Sequence, residues 1–193
     1  MNIILKILHK PTLVFKQLDD FYEEDLDTNS NLIALIVGCL VGLHSCYAEF
    51  DNLKELASGF GLILVCILSV LLSAGVIVLI YNYILTYIFY LIGKALGSKG
   101  VVADTRTAIV YSLIPMTLSL VFLFIQGSLP ESLTASKAIF WLTNGISLVI
   151  WLWSMTILVI GLKILNKYGV IKAIINILPL PIIGLIIILI RYM

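Results

Sequence analysis

The sequence predicts an all-α fold, a polytopic transmembrane helical bundle of five spans with its N-terminus in the cytoplasm. Three observations carry this. Hydrophobic residues make up 61% of the chain and charged residues only 12%, against about 25% charged in an average soluble chain. Apolar runs of the length needed to cross a hydrocarbon core of about 30 Å recur along it. The Lys and Arg residues fall in the gaps between these runs and alternate in density. Lys6, Lys10, Lys16, Lys94, Lys99, Arg106, Lys163, Lys167 and Lys172 occupy every other gap, while Lys54, Lys137 and Arg191 occupy the rest. That is the positive-inside bias of a multi-pass protein, with the nine cations cytoplasmic.

Residues 1–31 read as a cytoplasmic amphipathic segment and 32–193 as the transmembrane domain. Ile3, Ile4, Ile7 and Leu8 share a helical face, and Lys6, His9 and Lys10 lie off it. Pro11 restarts the pattern, since proline suits a first helical turn. Val14, Phe15, Leu18, Phe21 and Tyr22 then recur at helical spacing. Segments 2–10 and 11–24 are expected to lie on the cytoplasmic leaflet, to pack against the cytoplasmic ends of the spans, or both. The short apolar stretch at the start is interrupted by Lys6 and does not resemble a signal-peptide core, so the first span is expected to act as an uncleaved anchor.

That first span is predicted over 32–48, with Asn29, Ser30 and Asn31 as N-cap residues. Ala34, Gly38, Gly42 and Cys46 fall every four residues within it, a small-residue stripe suited to close helix packing in lipid. From Leu56 to Gly93 there is no Asp, Glu, Lys or Arg. One helix of that length would extend about 57 Å. It is either a single long helix or a hairpin breaking near 73–75. A hairpin would place five cations inside and seven outside, so the single helix is favoured, its membrane core near 60–80. Residues 81–93, with Tyr81, Asn82, Tyr83, Thr86, Tyr87 and Tyr90, are expected to form an interfacial or protein-covered extension. A glycine-rich turn follows at Gly93–Gly100. Asp104 or Thr105 can cap the third span, about 107–126, which carries Pro115 and needs neighbours to satisfy the carbonyl that proline frees. The fourth span covers about 138–162 and the fifth about 171–190, the last interrupted by Pro179 and Pro181.

Pro11 with Phe15, the Gly93–Gly100 loop, the stretch Tyr111-Ser112-Leu113-Ile114-Pro115 and the Lys172-Ala173 start of the last span together resemble the Yip family (Ypt-interacting proteins) in its short, bacterial-type version, across nearly the whole chain. The resemblance implies five spans and a cytoplasmic N-terminus. Eukaryotic members bind prenylated Rab-type GTPases in vesicle traffic. Their Asp-Leu-Tyr-Gly-Pro motif does not occur here, so the resemblance implies architecture rather than GTPase binding. The location it suggests is the bacterial cytoplasmic (inner) membrane.

No catalytic, cofactor-binding or metal site is expected. Cys39, Cys46 and Cys66 are odd in number and show no CxxC spacing, and they read as small packing residues. His44 and Glu49 could form a proton site at the outer end, or His44 could serve a neighbouring helix. The acidic run Asp19, Asp20, Glu23, Glu24, Asp25 and Asp27 could bridge a divalent cation or form a solvated linker. Lys94, Lys99 and Arg106 with Tyr87 and Tyr90 are candidates for holding an anionic lipid headgroup, against the plainer reading that the cations only set topology. Ala34, Gly38, Gly42 and Pro115 are candidates for helix packing. Expected partners are membrane lipids, with a protein partner or a second copy beside them, and no nucleic acid. The function that follows is a non-catalytic membrane scaffold or adaptor in membrane organisation or trafficking. The alternative is a transporter or permease for a lipid or small neutral solute, suggested by the prolines and by Asn82, Gln126, Asn144 and Asn176 in or near spans.

Overall fold

The computed structural model describes residues 3–127, 137–179 and 181. Short helices α1 (Ile3–His9) and α2 (Pro11–Leu18) precede α3 (Glu23–Ala48) and α4 (Phe50–Leu56). α5 (Phe60–Val78) runs through a π-helical segment, Leu79–Leu85, into α6 (Thr86–Ala95). α7 (Val102–Ser112) and α8 (Ile114–Gly127) form a bent pair, followed by α9 (Lys137–Leu165) and α10 (Val170–Ile177). Among the described residues, four helices are long and apolar enough to cross a membrane: Glu23–Ala48, Phe60–Ala95, Val102–Phe124 and Trp141–Leu165. The predicted fifth span begins as α10, and its remainder, residue 180 and residues 182–193, lies outside the described residues.

The long apolar run is one helix of 36 residues, about 54 Å at 1.5 Å per residue. It exceeds the hydrocarbon thickness of about 30 Å. Charge-segregated loops meet in space as the alternation demands. Lys167 Nζ lies 3.3 Å from Asp19 Oδ1, Lys172 Nζ donates to the Leu96 carbonyl at 2.6 Å, and the Lys99 amide donates to the Asn166 carbonyl at 3.2 Å. The N-terminal segment and the two lysine-rich gaps therefore share one end of the bundle, referred to below as the loop end. α4 and its Lys54 follow the opposite end of α3.

Two expectations are corrected. Asn29, Ser30 and Asn31 do not cap a helix that starts at 32, because α3 begins at Glu23 and passes through them. Its start is favoured instead by Glu23, Glu24 and Asp25, whose carboxylates face the positive end of the helix dipole. The second correction concerns α2. Pro11, Val14, Phe15 and Leu18 are buried, so its apolar face is covered by protein rather than by the leaflet. Phe15 fits over Gly161 of α9, where a Cβ would stand 2.7 Å from the phenyl Cζ, and its ring meets Tyr111 edge-on at 6.3 Å. Together with Ile7, these residues join Ile109, Val110, Ile157, Leu158 and Leu162 in one apolar core. Packing of α2 into the bundle is thus the reading that holds.

α3 and α5 share the most extensive helix pairing, along the predicted small-residue stripe. A Cβ on Gly38 would stand 2.6 Å from the Ala74 Cα, and one on Gly42 would stand 2.7 Å from the Val70 Cα. Elsewhere α5 is mostly exposed, with Ala74 its buried residue. Packing in lipid has no hydrophobic drive between helices, and contact between backbones of this closeness supplies the dispersion that replaces it.

The chain bends at the junction of α7 and α8, beside Pro115. The Met116 amide turns to the Leu113 carbonyl at 2.9 Å, three residues back, which leaves the Ser112 carbonyl without a helical donor. The Ser154 hydroxyl of α9 donates to it.

Candidate functional site

The most structured polar region lies at the loop end. α6 stops in a tight C-terminal motif: Ser98 N donates to Gly93 O at 2.8 Å and Gly97 N to Lys94 O at 3.0 Å, with Gly97 at φ 87. Glycine is required there because that backbone conformation is costly for a side chain with a Cβ. The turn then docks on Asn166 at the end of α9. The Ser98 hydroxyl donates to Asn166 Oδ1 at 3.1 Å, the Thr105 hydroxyl donates to the same oxygen at 3.2 Å, and Gly100 N donates to Ser98 Oγ at 3.1 Å. Gly100 lies so close to Asn166 that a Cβ would stand 2.9 Å from its Cα. The Val101 amide donates to Asp104 Oδ2 at 2.9 Å, fixing the start of α7. Because α7 begins at Val102, Asp104 and Thr105 lie inside the helix, and the expected cap at either of them before a span starting near 107 is corrected.

The same lock extends to α10, where Asn176 Nδ2 donates to the Tyr168 hydroxyl oxygen at 2.8 Å. Burial pushes the Tyr168 phenol above its usual range, while the Asn176 and Asn166 amides pull the other way. It therefore stays neutral at physiological pH. Ser98, Thr105, Asn166, Tyr168 and Asn176 are all buried. These groups are uncharged, which keeps their desolvation cost below that of a buried charge, and within the network Asn166 Nδ2 and Asn176 Oδ1 are buried without a hydrogen-bond partner among the described residues.

A second polar node joins α3, the π segment and α7. Arg106 Nη1 lies 2.7 Å from Asp27 Oδ1, and Arg106 Nε donates to the Asn82 carbonyl at 3.2 Å. The wide π turn leaves that carbonyl available. Asn82 Nδ2 donates to Asn31 Oδ1, and the hydroxyls of Ser30 and Thr107 lie 3.2 Å apart. Arg106→Ala is expected to destabilise the fold by about 1.5–3 kcal/mol, the range for hydrogen bonds to charged groups, at its lower end because the Asp27 side chain is 42% exposed. Arg106→Lys should recover part of this, since a lysine restores the charge and not the fork. Thermal unfolding in detergent measures it, and equal midpoints for wild type and Arg106→Ala would deny the node its role.

Of the predicted headgroup residues, Tyr87, Tyr90 and Lys94 lie on one stripe with Tyr83, spaced by three and four residues on a helix. Lys94 Nζ stands 5.2 Å from the Tyr90 ring centroid, and the Arg106 guanidinium 5.6 Å from that of Tyr83. Tyr83 and Tyr87 are exposed, as are Lys94 and Lys99. Arg106 is committed to Asp27 and supports the stripe from behind. Lys99 projects from the turn, its backbone held by Asn166. Among the packing candidates, Ala34, Gly38 and Gly42 are buried in α3, and Pro115 is the second residue of α8, at the bend.

The structure does not bring His44 and Glu49 together. His44 meets Phe124 edge-on at 5.3 Å, and the Glu49 carboxylate accepts from Asn52. The acidic run is divided among Lys167, which takes Asp19, Arg106, which takes Asp27, and the first turn of α3. Sequence reasoning missed Asn166 and Tyr168. Their only signal was polarity immediately after an apolar span, which a surface turn also shows. In the membrane half, a cleft of about 430 Å³ between α8 and α9 is lined by Met116, Ser119, Leu123, Ser147, Leu148, Ile150 and Trp151. Its apolar walls suit a hydrocarbon chain.

In comparison with known proteins, the family model of the Yip1 domain matches residues 5–191. No curated protein matches the chain, and no solved structure does.

Proposed function

The chain belongs to the Yip1 domain family, and from that premise we propose that it is a non-catalytic membrane scaffold or adaptor, acting in membrane organisation or trafficking through its loop end. The proposal includes five spans, a cytoplasmic loop end and a place in the bacterial inner membrane. The observation that carries it is the locked loop end. Asn166 ties the turn after α6 to α9, α2 plugs the apolar floor, and the outward surface left by this assembly is the Tyr83–Tyr87–Tyr90–Lys94 stripe with Lys99 beside it in the sequence. A rigid, cationic and aromatic surface at headgroup depth is built to dock on an anionic lipid surface and the proteins gathered there.

The test of the lipid contact uses Lys94→Ala with Lys99→Ala and leaves Arg106 in place, because Arg106 also holds the fold. Native mass spectrometry of the purified protein should show retained phosphatidylglycerol or cardiolipin, reduced several-fold in the double variant. Equal retention in both would refute the headgroup role. Crosslinking with affinity purification from native membranes tests the adaptor role. Solute flux in proteoliposomes that Pro115→Ala abolishes would favour transport over scaffolding. Tags on the two termini answering from opposite faces of intact cells are expected for an odd number of spans.

A further inference from the structure

α3 and α5 run antiparallel in a register that moves four residues down one helix for every four up the other. Gly38 faces Ala74, and Gly42 faces Val70. The next pair in that register is Cys46 and Cys66. The contact is there: Cys46 Sγ donates to the Cys66 carbonyl at 3.6 Å. Both cysteines are reduced. Cys46 is 8% exposed, while Cys66 is partly open. They sit near the end of the bundle opposite the lysine-rich loops, Cys46 two residues before the end of α3 and Cys66 in the second turn of α5.

We propose that Cys46 and Cys66 form a reversible dithiol–disulfide pair that staples α3 to α5, oxidised by thiol–disulfide exchange with a disulfide-bearing oxidant. The pair stands independently of the scaffold reading. Cys66, the more accessible sulfur, attacks the oxidant's disulfide as its thiolate, forming a mixed disulfide and releasing one thiol. Cys46 then attacks the Cys66 sulfur and releases the second. Two protein thiols and one external disulfide become one protein disulfide and two external thiols, so protons and electrons balance. The close approach enforced by Gly38 and Gly42 is what brings the two Cβ atoms toward the range a disulfide needs. Cys39, on another face of α3 and partly exposed, has no such partner in register.

The full-length protein in detergent, fully reduced and then freed of reductant, is treated with dithiodipyridine. Cys39→Ser should release two pyridinethiones per chain, lose two mass units and keep no adduct. Adding Cys46→Ser or Cys66→Ser to that variant should leave one pyridinethione released and one adduct retained. Peptide mapping of oxidised wild type should show a Cys46–Cys66 crosslink with Cys39 as the mixed disulfide. Two retained adducts in Cys39→Ser, or thiols that stay unreacted in the folded protein, would overturn the proposal. Because wild type is mapped alongside, misfolding of a variant cannot produce the supporting result.

Discussion

Replacing Phe15 with alanine is expected to cost about 3–5 kcal/mol of stability, the range for truncating a buried phenylalanine. The ring is fully buried, sits over Gly161 where no side chain intervenes, and meets Tyr111. Alanine leaves a void that the floor of the bundle cannot close, because α9 and α7 already meet there: a Cβ on Gly161 would stand 3.0 Å from the Ala108 Cβ. α2 should then lose its hold and unwind, opening the backbone after Lys16, whose side chain is already exposed. Two measurements check this in detergent: the thermal midpoint falls, and trypsin cleaves the Lys16–Gln17 bond faster than in wild type. Unchanged midpoint and cleavage would mean that α2 lies on the lipid surface and contributes nothing to the core.

Gly38→Leu is expected to have an effect of comparable size at the other half of the molecule. Even a methyl group at Gly38 would stand 2.6 Å from the Ala74 Cα and 3.1 Å from the Ala74 carbonyl oxygen. Backbone atoms cannot rotate out of the way, so α3 and α5 must separate. Overpacking typically costs about 1–3 kcal/mol, and leucine, with three further carbons, should exceed the alanine variant. The loss falls on the contact that holds α5 to the bundle, since Ala74, opposite Gly38, is the one buried residue of α5. Gly75→Leu is the matched control. It adds the same side chain to the facing helix at a position with nothing within 4 Å, and should leave the midpoint unchanged. Equal effects of the two substitutions would show that helix propensity, not the close approach, sets the outcome.

Both predictions concern residues visible in the sequence, yet they were legible to different degrees. Gly38 and Gly42 announce themselves by spacing, and the structure places α5 against them. Phe15 was legible as apolar at helical spacing. Its destination was not, since an amphipathic helix resting on lipid and one resting on protein share a pattern. The triad Lys94, Lys99 and Arg106 illustrates a different limit. One-dimensional charge counting treats all three alike, but Arg106 faces Asp27 at 2.7 Å and belongs to the interior node. Asp27 and Arg106 are far apart in sequence, and the acidic run around Asp27 offered no reason to single it out. Asn166 escaped notice because its role depends on Ser98 and Thr105, more than 60 residues away.

The sequence by itself determined which segments are apolar, how long they are and how the cations alternate. Those quantities sufficed for the four described helices long and apolar enough to cross a membrane, the unbroken helix from Phe60 to Ala95 among them, because bilayer thickness and the cost of burying charge act on local composition. Only the tertiary structure decided what each apolar face touches. It put α2 under the bundle, Asn166 in the Gly93–Gly100 turn, Arg106 on Asp27 and Cys46 opposite Cys66. The physical reason is that lipid and protein interiors reward apolar surface alike, so hydropathy cannot separate them. Polar partners on different helices are chosen by packing register, which no single segment encodes.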